Sequence, residues 1–375
     1  MKNRDKWIAI VFLIFIMSIP AITIARNVFG PTQDEDQLTE DEKAILENNG
    51  TFQDKDKDRD TPADGEVAPQ PEDPAFVRMQ GQINTFIEGM FGRTKLIAFN
   101  TGLTSILTGG TYIESTQTLQ GKNDMFFYKT ELDGHPIWDY MGINHFTEEE
   151  LAAIAANLLA TRTYLDEKGI EFYMMCMPNK EIIYEENMPD TIARVNEVSR
   201  GEQLAAYINA NTDLVFVYPK DALLAAKEET PVYYSTDTHC NQKGSFVSMQ
   251  ELFDAAYGRK AALDSVSFRT DATDYSGDLV AMAGLTGKYN IDTVYVFEKE
   301  SADKAQQHDQ VLLFVGDSFG GFLSAVSKGY YKEVYWVYST QFQNSMYEEY
   351  EPDVVIWEWA ERYCEEFANP ILMTK

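Results

Sequence analysis

The chain has 375 residues, enough for one large domain or two ordinary ones, and 44% of them are hydrophobic, which is typical of a globular protein. Its formal net charge of -29 argues against nucleic-acid binding, because phosphate recognition relies on clustered lysines and arginines. Three scattered cysteines exclude a disulfide framework or a cysteine-based zinc site, and we expect no cofactor.

The N-terminal residues predict a membrane anchor. Residues 1–6 are basic and form a cytoplasmic segment, and residues 7–25 are almost wholly apolar. That length just reaches a bilayer span, with the basic side chains on the cytoplasmic side. A cleaved signal peptide, with an imperfect cleavage site at residues 23–25, is the alternative. Either way, the rest of the chain is expected to be extracellular or periplasmic.

Residues 26–75 are predicted to be a disordered stalk. They are rich in acidic residues and prolines and contain few apolar side chains, so folding would not offset their loss of conformational entropy. The stretch Asp54 to Asp60 resembles a calcium-binding loop but lacks its glycine and closing glutamate, so we interpret it as solvated charge. The folded domain is predicted over residues 76–375.

Alternating helix and strand patterns in that domain predict a three-layer α/β/α sandwich with a mainly parallel sheet. Thr147 and Glu150 form a capping box before an amphipathic run that ends at Gly169. A second helical run covers residues 203–208. Short apolar runs predict buried strands over residues 170–178, 213–219, 311–315, 333–338 and 353–357.

The most apolar of these strands leads into a tight turn, Gly316-Asp317-Ser318. In open α/β sheets the active site lies beyond the carboxyl ends of the strands. Such a turn exposes the serine hydroxyl and directs backbone N–H groups to one point, as an oxyanion requires. The alternative is that Asp317 or Ser318 only caps the next helix.

A second motif, Asp237-Thr238-His239, supplies the groups that activate a serine. A serine nucleophile needs a base, and the base needs a carboxylate to fix its tautomer. The two-residue spacing lets both side chains point to the same side of an extended segment. A metal site on Asp237 and His239 is the competing interpretation, but no further histidine or cysteine stands at ligand spacing, so no metal is expected.

Taken in order, these motifs resemble the alginate O-acetyltransferase family (AlgX/AlgJ-like, including the DHHW proteins) of the SGNH-hydrolase superfamily. The resemblance covers most of the chain after the stalk. The segments that carry it are Phe86 to Arg93, Gly121 to Tyr128, Pro178 to Lys180, Asp237 to His239, Gly316 to Phe319 and Pro352 to Arg362.

The resemblance implies an SGNH-hydrolase-like fold with a triad of Asp237, His239 and Ser318. It also implies acetyl transfer, through an acetyl-serine intermediate, to an exopolysaccharide or cell-envelope glycan. A multipass membrane acyltransferase is the implied acetyl donor. Four further residues are expected to bind substrate or support the site: Asn179, Lys180, Gly320 and Arg362.

Two departures from the family pattern concern the substrate. Cys240 stands where the family usually has tryptophan after Asp-x-His, and Asp124-Met125 replaces a Gly-Trp pair. A glycan acetyl esterase with the same triad and a non-catalytic glycan-binding or assembly partner therefore stay open as alternatives. The candidates for sugar stacking are Trp138, Trp336, Trp357 and Trp359, most of which we expect to be buried.

Overall fold

The computed structural model describes residue 115, residues 117–130 and residues 134–374. The predicted anchor over residues 7–25, the stalk over residues 26–75 and the segment Phe86 to Arg93 lie outside these residues, as does the predicted start of the folded domain. Within the described part of the chain, no helix combines the length and the apolar character that a bilayer crossing needs.

Strands and helices alternate along most of the described chain. The strands are β1 Thr118–Gln120, β2 Phe126–Tyr128, β3 Glu171–Met177, β4 Phe216–Val217, β5 Phe268–Tyr275, β6 Asp292–Phe297, β7 His308–Gly316, β8 Tyr331–Tyr338 and β9 Val354–Ala360. The helices are α1 Pro136–Met141, α2 Glu148–Asp166, α3 Lys180–Ile183, α4 Arg200–Asn211, α5 Lys220–Lys227, α6 Gln242–Tyr257, α7 Asp278–Met282, α8 Ser318–Ser327, α9 Met346–Tyr350 and α10 Ile371–Thr374.

The central sheet has five strands in the order β4-β3-β9-β7-β8, and all of its pairs are parallel. The predicted α/β fold with a mainly parallel sheet is therefore confirmed. Because the strands run in one direction, their carboxyl ends lie along the same edge, where ligand sites of such folds are found.

Both faces of this sheet are covered by helices. In the central strand β9, Val354 and Ile356 pack with α6 and α8, whereas Val355 and Trp357 pack on the other side with α2 and α4. Successive side chains of a strand point to opposite faces, so a strand covered on both sides is apolar throughout. This is why the strands appear as short unbroken apolar runs in the sequence.

The helix before β3 begins as its sequence predicts. The hydroxyl of Thr147 accepts from the N–H of Glu150 at 3.2 Å, and the Glu150 carboxylate accepts from the N–H of Thr147 at 2.8 Å. α2 then runs to Asp166, and Gly169 turns the chain with a φ of 74°, a left-handed conformation that favours glycine.

The strand predicted over residues 213–219 is much shorter than expected. Only Phe216 and Val217 pair with β3, at the edge of the sheet. Pro219 has no N–H to donate to a ladder, and it caps the start of α5. The prediction was right about the strand and wrong about its length.

A two-stranded antiparallel sheet, formed by β5 and β6, stands apart from the central sheet, and the sequence analysis did not predict it. Its strands are half exposed, with apolar and polar residues mixed. β5 ends at Tyr275 and β6 begins at Asp292, and both of these residues contact the candidate site described below.

Two buried glutamates near the end of β9 differ in the groups that surround their carboxyl groups. Glu361 accepts hydrogen bonds from the N–H groups of Gly201 and Asn179 and from the Tyr218 hydroxyl, each at 3.0 Å. Glu358 is fully buried beneath Gly316, where its carboxyl group lies next to Asp317. Burial, reinforced by the charge of Asp317, raises the pKa of Glu358 well above its ordinary value.

We therefore predict opposite effects of two matched substitutions. A carboxyl whose pKa is raised by folding loses stabilising free energy as pH rises above the unfolded-state pKa. Glu358→Gln should consequently gain stability relative to wild type between pH 5 and pH 8, by up to about 1.4 kcal/mol per pH unit. Glu361→Gln places an amide N–H against backbone N–H donors and should cost about 1–3 kcal/mol at both pH values.

Chemical denaturation at the two pH values measures both effects. A Glu358→Gln variant destabilised equally at pH 5 and pH 8 would show that Glu358 is ionised in the folded protein.

Candidate active site

Ser318 is the first residue of α8 and lies just past the carboxyl end of β7. Asp317 caps the helix: one of its carboxylate oxygens accepts from the N–H of Phe319 at 2.8 Å, and the other accepts from the N–H of Ala360 at 2.9 Å. The capping interpretation therefore holds for Asp317, whereas the hydroxyl of the half-buried Ser318 makes a different contact.

That contact joins three side chains into one hydrogen-bonded chain. The Oγ of Ser318 lies 2.7 Å from Nε2 of His239, and Nδ1 of His239 lies 2.7 Å from Oδ1 of Asp237. The same carboxylate oxygen accepts from the backbone N–H of His239 at 3.0 Å. The structure thus brings together the three residues predicted to form the triad, with the serine and the carboxylate on opposite nitrogens of the imidazole.

The electrostatics of the pair favour a charged histidine beside an ionised aspartate. Burial lowers the pKa of His239, but the Asp237 carboxylate raises it by more, and the net pKa lies above its ordinary value. Burial acts to raise the pKa of Asp237, and the charge of His239 with hydrogen bonds from His239 and Tyr275 outweighs it, so that pKa is lowered. An imidazolium formed during a reaction would be stabilised here.

The second oxygen of Asp237 is held by the end of the β5–β6 sheet and the turn that follows it. The hydroxyl of Tyr275 donates to Oδ2 at 2.5 Å, and the N–H of Asp278 donates to it at 3.3 Å. A side chain at Gly277 would place its Cβ only 2.4 Å from the Cβ of Asp237. Glycine at this position therefore lets the turn close over the carboxylate.

The loop that carries Asp237 and His239 is held from two sides. Lys180 is buried, and its Nζ donates to the backbone carbonyls of Tyr234, Ser235 and Asp237 at 3.1, 3.3 and 2.7 Å. Opposite, the Asp292 carboxylate accepts from the backbone N–H groups of Ser235 and Thr236 at 2.7 and 2.8 Å. Burial lowers the pKa of Lys180 to about 8.

A second carboxylate stands beside the imidazole. Asp278 Oδ2 lies 3.9 Å from Nδ1 of His239 and accepts from the hydroxyl of Thr238 at 2.7 Å, while Oδ1 accepts from the Thr238 N–H at 2.8 Å. On its other side the imidazole ring contacts α8, with the rings of Phe319 and Phe322 centred 4.9 and 5.2 Å away. These contacts restrict the rotation of the ring.

Asp278 also supplies a third ligand for the metal interpretation. One ligand atom from each of Asp237, His239 and Asp278 can be chosen so that all lie within 4.8 Å of one another. However, Nδ1 of His239 is already hydrogen-bonded to Asp237, and the other oxygen of Asp237 accepts from Tyr275. The arrangement matches a proton held between imidazole and carboxylate better than a shared cation.

Three of the four further residues predicted to bind substrate or support the site contact it from behind. Lys180 holds the loop, and Asn179 is buried, with its amide donating to Asp139 Oδ2 at 2.8 Å and accepting from the N–H of Arg362 at 3.3 Å. The guanidinium of Arg362 lies 5.4 Å from the ring centre of Phe319, next to Ser318. Through these contacts the three residues hold protein groups around the triad.

Gly320, the fourth residue predicted to bind substrate or support the site, lies in the first turn of α8, and its N–H donates to the carbonyl of Asp317 at 3.1 Å. Its lack of a side chain allows a packing contact, because a Cβ would lie 2.6 Å from Nε1 of Trp336.

Of the residues that set this sequence apart from the family pattern, Cys240 and Met125 fall into the core, whereas Asp124 is exposed. Cys240 is buried, its Sγ lies 3.2 Å from the Ser245 hydroxyl, and burial raises its pKa to about 12. Met125 is buried as well. Of the four tryptophans considered for sugar stacking, Trp357 and Trp359 are buried, whereas Trp138 and Trp336 are exposed.

Several residues of the site were missed by sequence reasoning. Tyr275, Asp278 and Asp292 support the triad loop but stand 38 to 57 residues from their partners in the chain. No periodicity links such positions. The turn Ser276-Gly277-Asp278 carried a weak signal, since glycine and a helix-capping residue together favour a turn.

Comparison with known proteins places the chain in a family. The family described as SGNH hydrolase-like domain, acetyltransferase AlgX matches residues 119–326. The probable alginate O-acetylase AlgJ of Pseudomonas syringae pv. tomato is 24% identical over 269 residues, which are 58% of this chain and 66% of that protein, just under two thirds of its length.

One solved structure agrees at the level of the fold, and a second shows similarity alone. A DHHW family protein from Eubacterium siraeum is 12% identical, with a TM-score of 0.51 over 71% of this chain and 99% of that one. The O-acetyltransferase domain of Pseudomonas putida AlgJ is 17% identical, with a TM-score of 0.48 over 69% of this chain and 93% of that one. Since the family match extends over more than half of its residues, the chain belongs to the AlgX family of SGNH hydrolase-like domains.

Proposed function

We propose that this chain is a serine-dependent O-acetyltransferase that acetylates hydroxyl groups of an exopolysaccharide or cell-envelope glycan. The observation that carries the proposal is the continuous hydrogen-bonded chain from Ser318 through His239 to Asp237, at the carboxyl edge of a parallel sheet. Membership of the AlgX family, and the name of the AlgJ relative, support acetyl transfer as the reaction and a polysaccharide as the acceptor.

In the first half-reaction, Ser318 Oγ attacks the carbonyl carbon of an acetyl donor while Nε2 of His239 takes its proton. Asp237 stabilises the imidazolium that results. The backbone N–H of Ser318, in the first turn of α8, is the candidate oxyanion donor, because the first N–H groups of a helix lack partners within the helix. Collapse of the tetrahedral intermediate breaks the donor's bond to the acetyl group, and His239 returns the proton to the leaving group.

In the second half-reaction, a sugar hydroxyl attacks the acetyl-serine ester. Nε2 of His239 removes the hydroxyl proton, the ester bond to Ser318 breaks, and Oγ recovers a proton from the imidazolium. Water in place of the sugar would give a hydrolase. The acceptor that is positioned better therefore decides between transferase and glycan acetyl esterase.

The cellular arrangement that we propose follows from the N-terminal sequence. Residues 7–25 would anchor the chain with its N-terminus in the cytoplasm, and residues 26–75 would hold the catalytic domain away from the extracellular or periplasmic membrane surface. A multipass membrane acyltransferase would supply acetyl groups to a domain held in this way. The assembled triad weighs against a purely non-catalytic binding or assembly role.

We predict that Ser318→Ala loses acetyl-ester turnover by about a thousandfold or more, because the substitution removes the hydroxyl that forms the ester intermediate. Full-length wild type and variant are compared with a chromogenic acetyl ester, with and without alginate oligosaccharides. Ser324→Ala, the same change within α8, is the matched control and should keep wild-type turnover. Turnover should also persist in EDTA, since the mechanism uses no metal.

Equal turnover by folded wild type and Ser318→Ala would contradict serine catalysis. With catalysis established, mass spectrometry of the oligosaccharides separates the two reactions: acetylated sugar indicates a transferase, and free acetate alone indicates an esterase. Loss of turnover in EDTA would instead favour a metal bound by Asp237, His239 and Asp278.

A further prediction concerns the pH profile. The fall of kcat/KM at low pH (the acidic limb) should occur at a pH above the pKa of an ordinary histidine. His239 must be neutral to act as the base, and its pKa is raised. Asp278→Asn removes a negative charge 3.9 Å from the ring and should move this limb to lower pH. Asp264→Asn, at an exposed position, is the control and should leave it in place. A limb that does not move in Asp278→Asn would exclude electrostatic coupling between Asp278 and His239.

A further inference from the structure

Two exposed aromatic rings stand together at the carboxyl end of the edge strand β8. Trp336 is 36% exposed and Tyr338 is 38% exposed, and their ring centroids are 4.6 Å apart. Leaving large apolar rings in water forgoes the free energy that burial provides. A cluster of such rings is typical of a surface that binds a ligand.

The exposed residues at the two ends of β8 differ in chemical character. Lys332 and Glu333 occupy exposed positions at the start of the strand, as expected of an edge that must not pair with another chain. The aromatic pair occupies the opposite end, at the edge of the sheet where Ser318 lies.

Trp336 lies directly on the helix that begins with Ser318. A Cβ at Gly321 would be 3.4 to 3.7 Å from the six-membered part of the indole, and one at Gly320 would be 2.6 Å from its Nε1. The two glycines therefore allow the ring to rest on the helix backbone. Gly321 is three residues after Ser318, and positions three apart share one face of a helix. The indole thus borders the side of α8 that carries the nucleophile.

Tyr338 borders the nucleophile turn itself. It pairs with Gly316 in the register of β7 and β8, and the N–H of the next residue, Ser339, donates to the Gly316 carbonyl at 2.8 Å. The Trp336 side chain therefore packs on α8, and the backbone of Tyr338 pairs with the residue that leads into the nucleophile turn.

We propose that Trp336 and Tyr338 form a subsite that binds a pyranose ring of the acceptor glycan; this inference rests on the proposed acetyl transfer. The C–H groups on one face of a pyranose give that face apolar character, which suits stacking on an aromatic ring. The indole N–H and the phenol hydroxyl can bond to sugar hydroxyl groups. A sugar held there lies next to Ser318, which is where an acceptor hydroxyl must be to attack acetyl-serine.

The test compares two acetyl esters, one that contains a sugar ring and one that does not. Glucose pentaacetate presents a pyranose, and vinyl acetate has no ring. Full-length wild type and Trp336→Ala, Tyr338→Ala and Trp336→Phe variants are assayed with both. We expect Trp336→Ala to lower the ratio of the two kcat/KM values, sugar ester over vinyl ester, by about tenfold, the value of a lost stacking contact. Tyr338→Ala should lower it less, and Trp336→Phe should largely restore it.

Trp138→Ala is the matched control. Trp138 is also exposed, but it lies on α1 and stacks on His135 with ring centres 4.3 Å apart, so its removal should leave the ratio unchanged. Thermal melts establish that each variant is folded. A ratio unchanged in folded Trp336→Ala, or no preference for the sugar ester in wild type, would overturn the subsite. Failure of the proposed function itself would appear separately, as equal turnover of vinyl acetate by wild type and Ser318→Ala.

Discussion

The candidate site depends on one buried interaction, the contact of the Lys180 ammonium group with the backbone of the loop that carries Asp237 and His239. This loop has little regular secondary structure, so its buried backbone groups must find partners elsewhere. Lys180 supplies donors for its carbonyls, and Asp292 supplies acceptors for its N–H groups. Neither residue touches Ser318 in the hydrogen bonds described, yet together they fix where the imidazole stands relative to it.

The same region shows how a strongly acidic chain arranges buried charge. Asp237 is ionised because His239 and Tyr275 compensate for its burial, and Lys180 and Arg362 provide positive charge behind the site. At Glu358, burial and the charge of Asp317 outweigh the charge of Arg362, and they raise the pKa of its carboxyl group well above the ordinary value. Buried groups are tolerated here in the ionisation state that their neighbours can stabilise.

Much of this organisation could be predicted from the sequence, for identifiable physical reasons. Strands covered on both faces leave unbroken apolar runs, and the cap at Thr147 uses residues three apart. The spacing of Asp237 and His239 was less specific than it looked: Asp-x-His also occurs at residues 133–135, where the imidazole of His135 stacks on Trp138. The shared order of the family motifs along the chain, rather than either short motif, therefore supports His239 as the partner of Ser318.

The remainder could not be predicted because it depends on tertiary contacts. Tyr275 and Asp292 come from a small antiparallel sheet whose strand β5 has no continuous apolar pattern, and Asp278 begins the helix α7. The partners of all three are dozens of residues away in the chain. The packing role of Gly320 likewise depends on Trp336, which belongs to the next strand. Local patterns identified the chemical groups, whereas the supporting contacts became visible only in three dimensions.

The most direct test of this account is a search for the acetyl-serine intermediate. The full-length protein is mixed with a chromogenic acetyl ester, quenched in acid within the first turnover, digested and mapped by tandem mass spectrometry. The account predicts acetylation of Ser318 in wild type and its loss in His239→Ala, which lacks the base. Acetylation that is absent from Ser318 under turnover, or that is just as strong in His239→Ala, would contradict it.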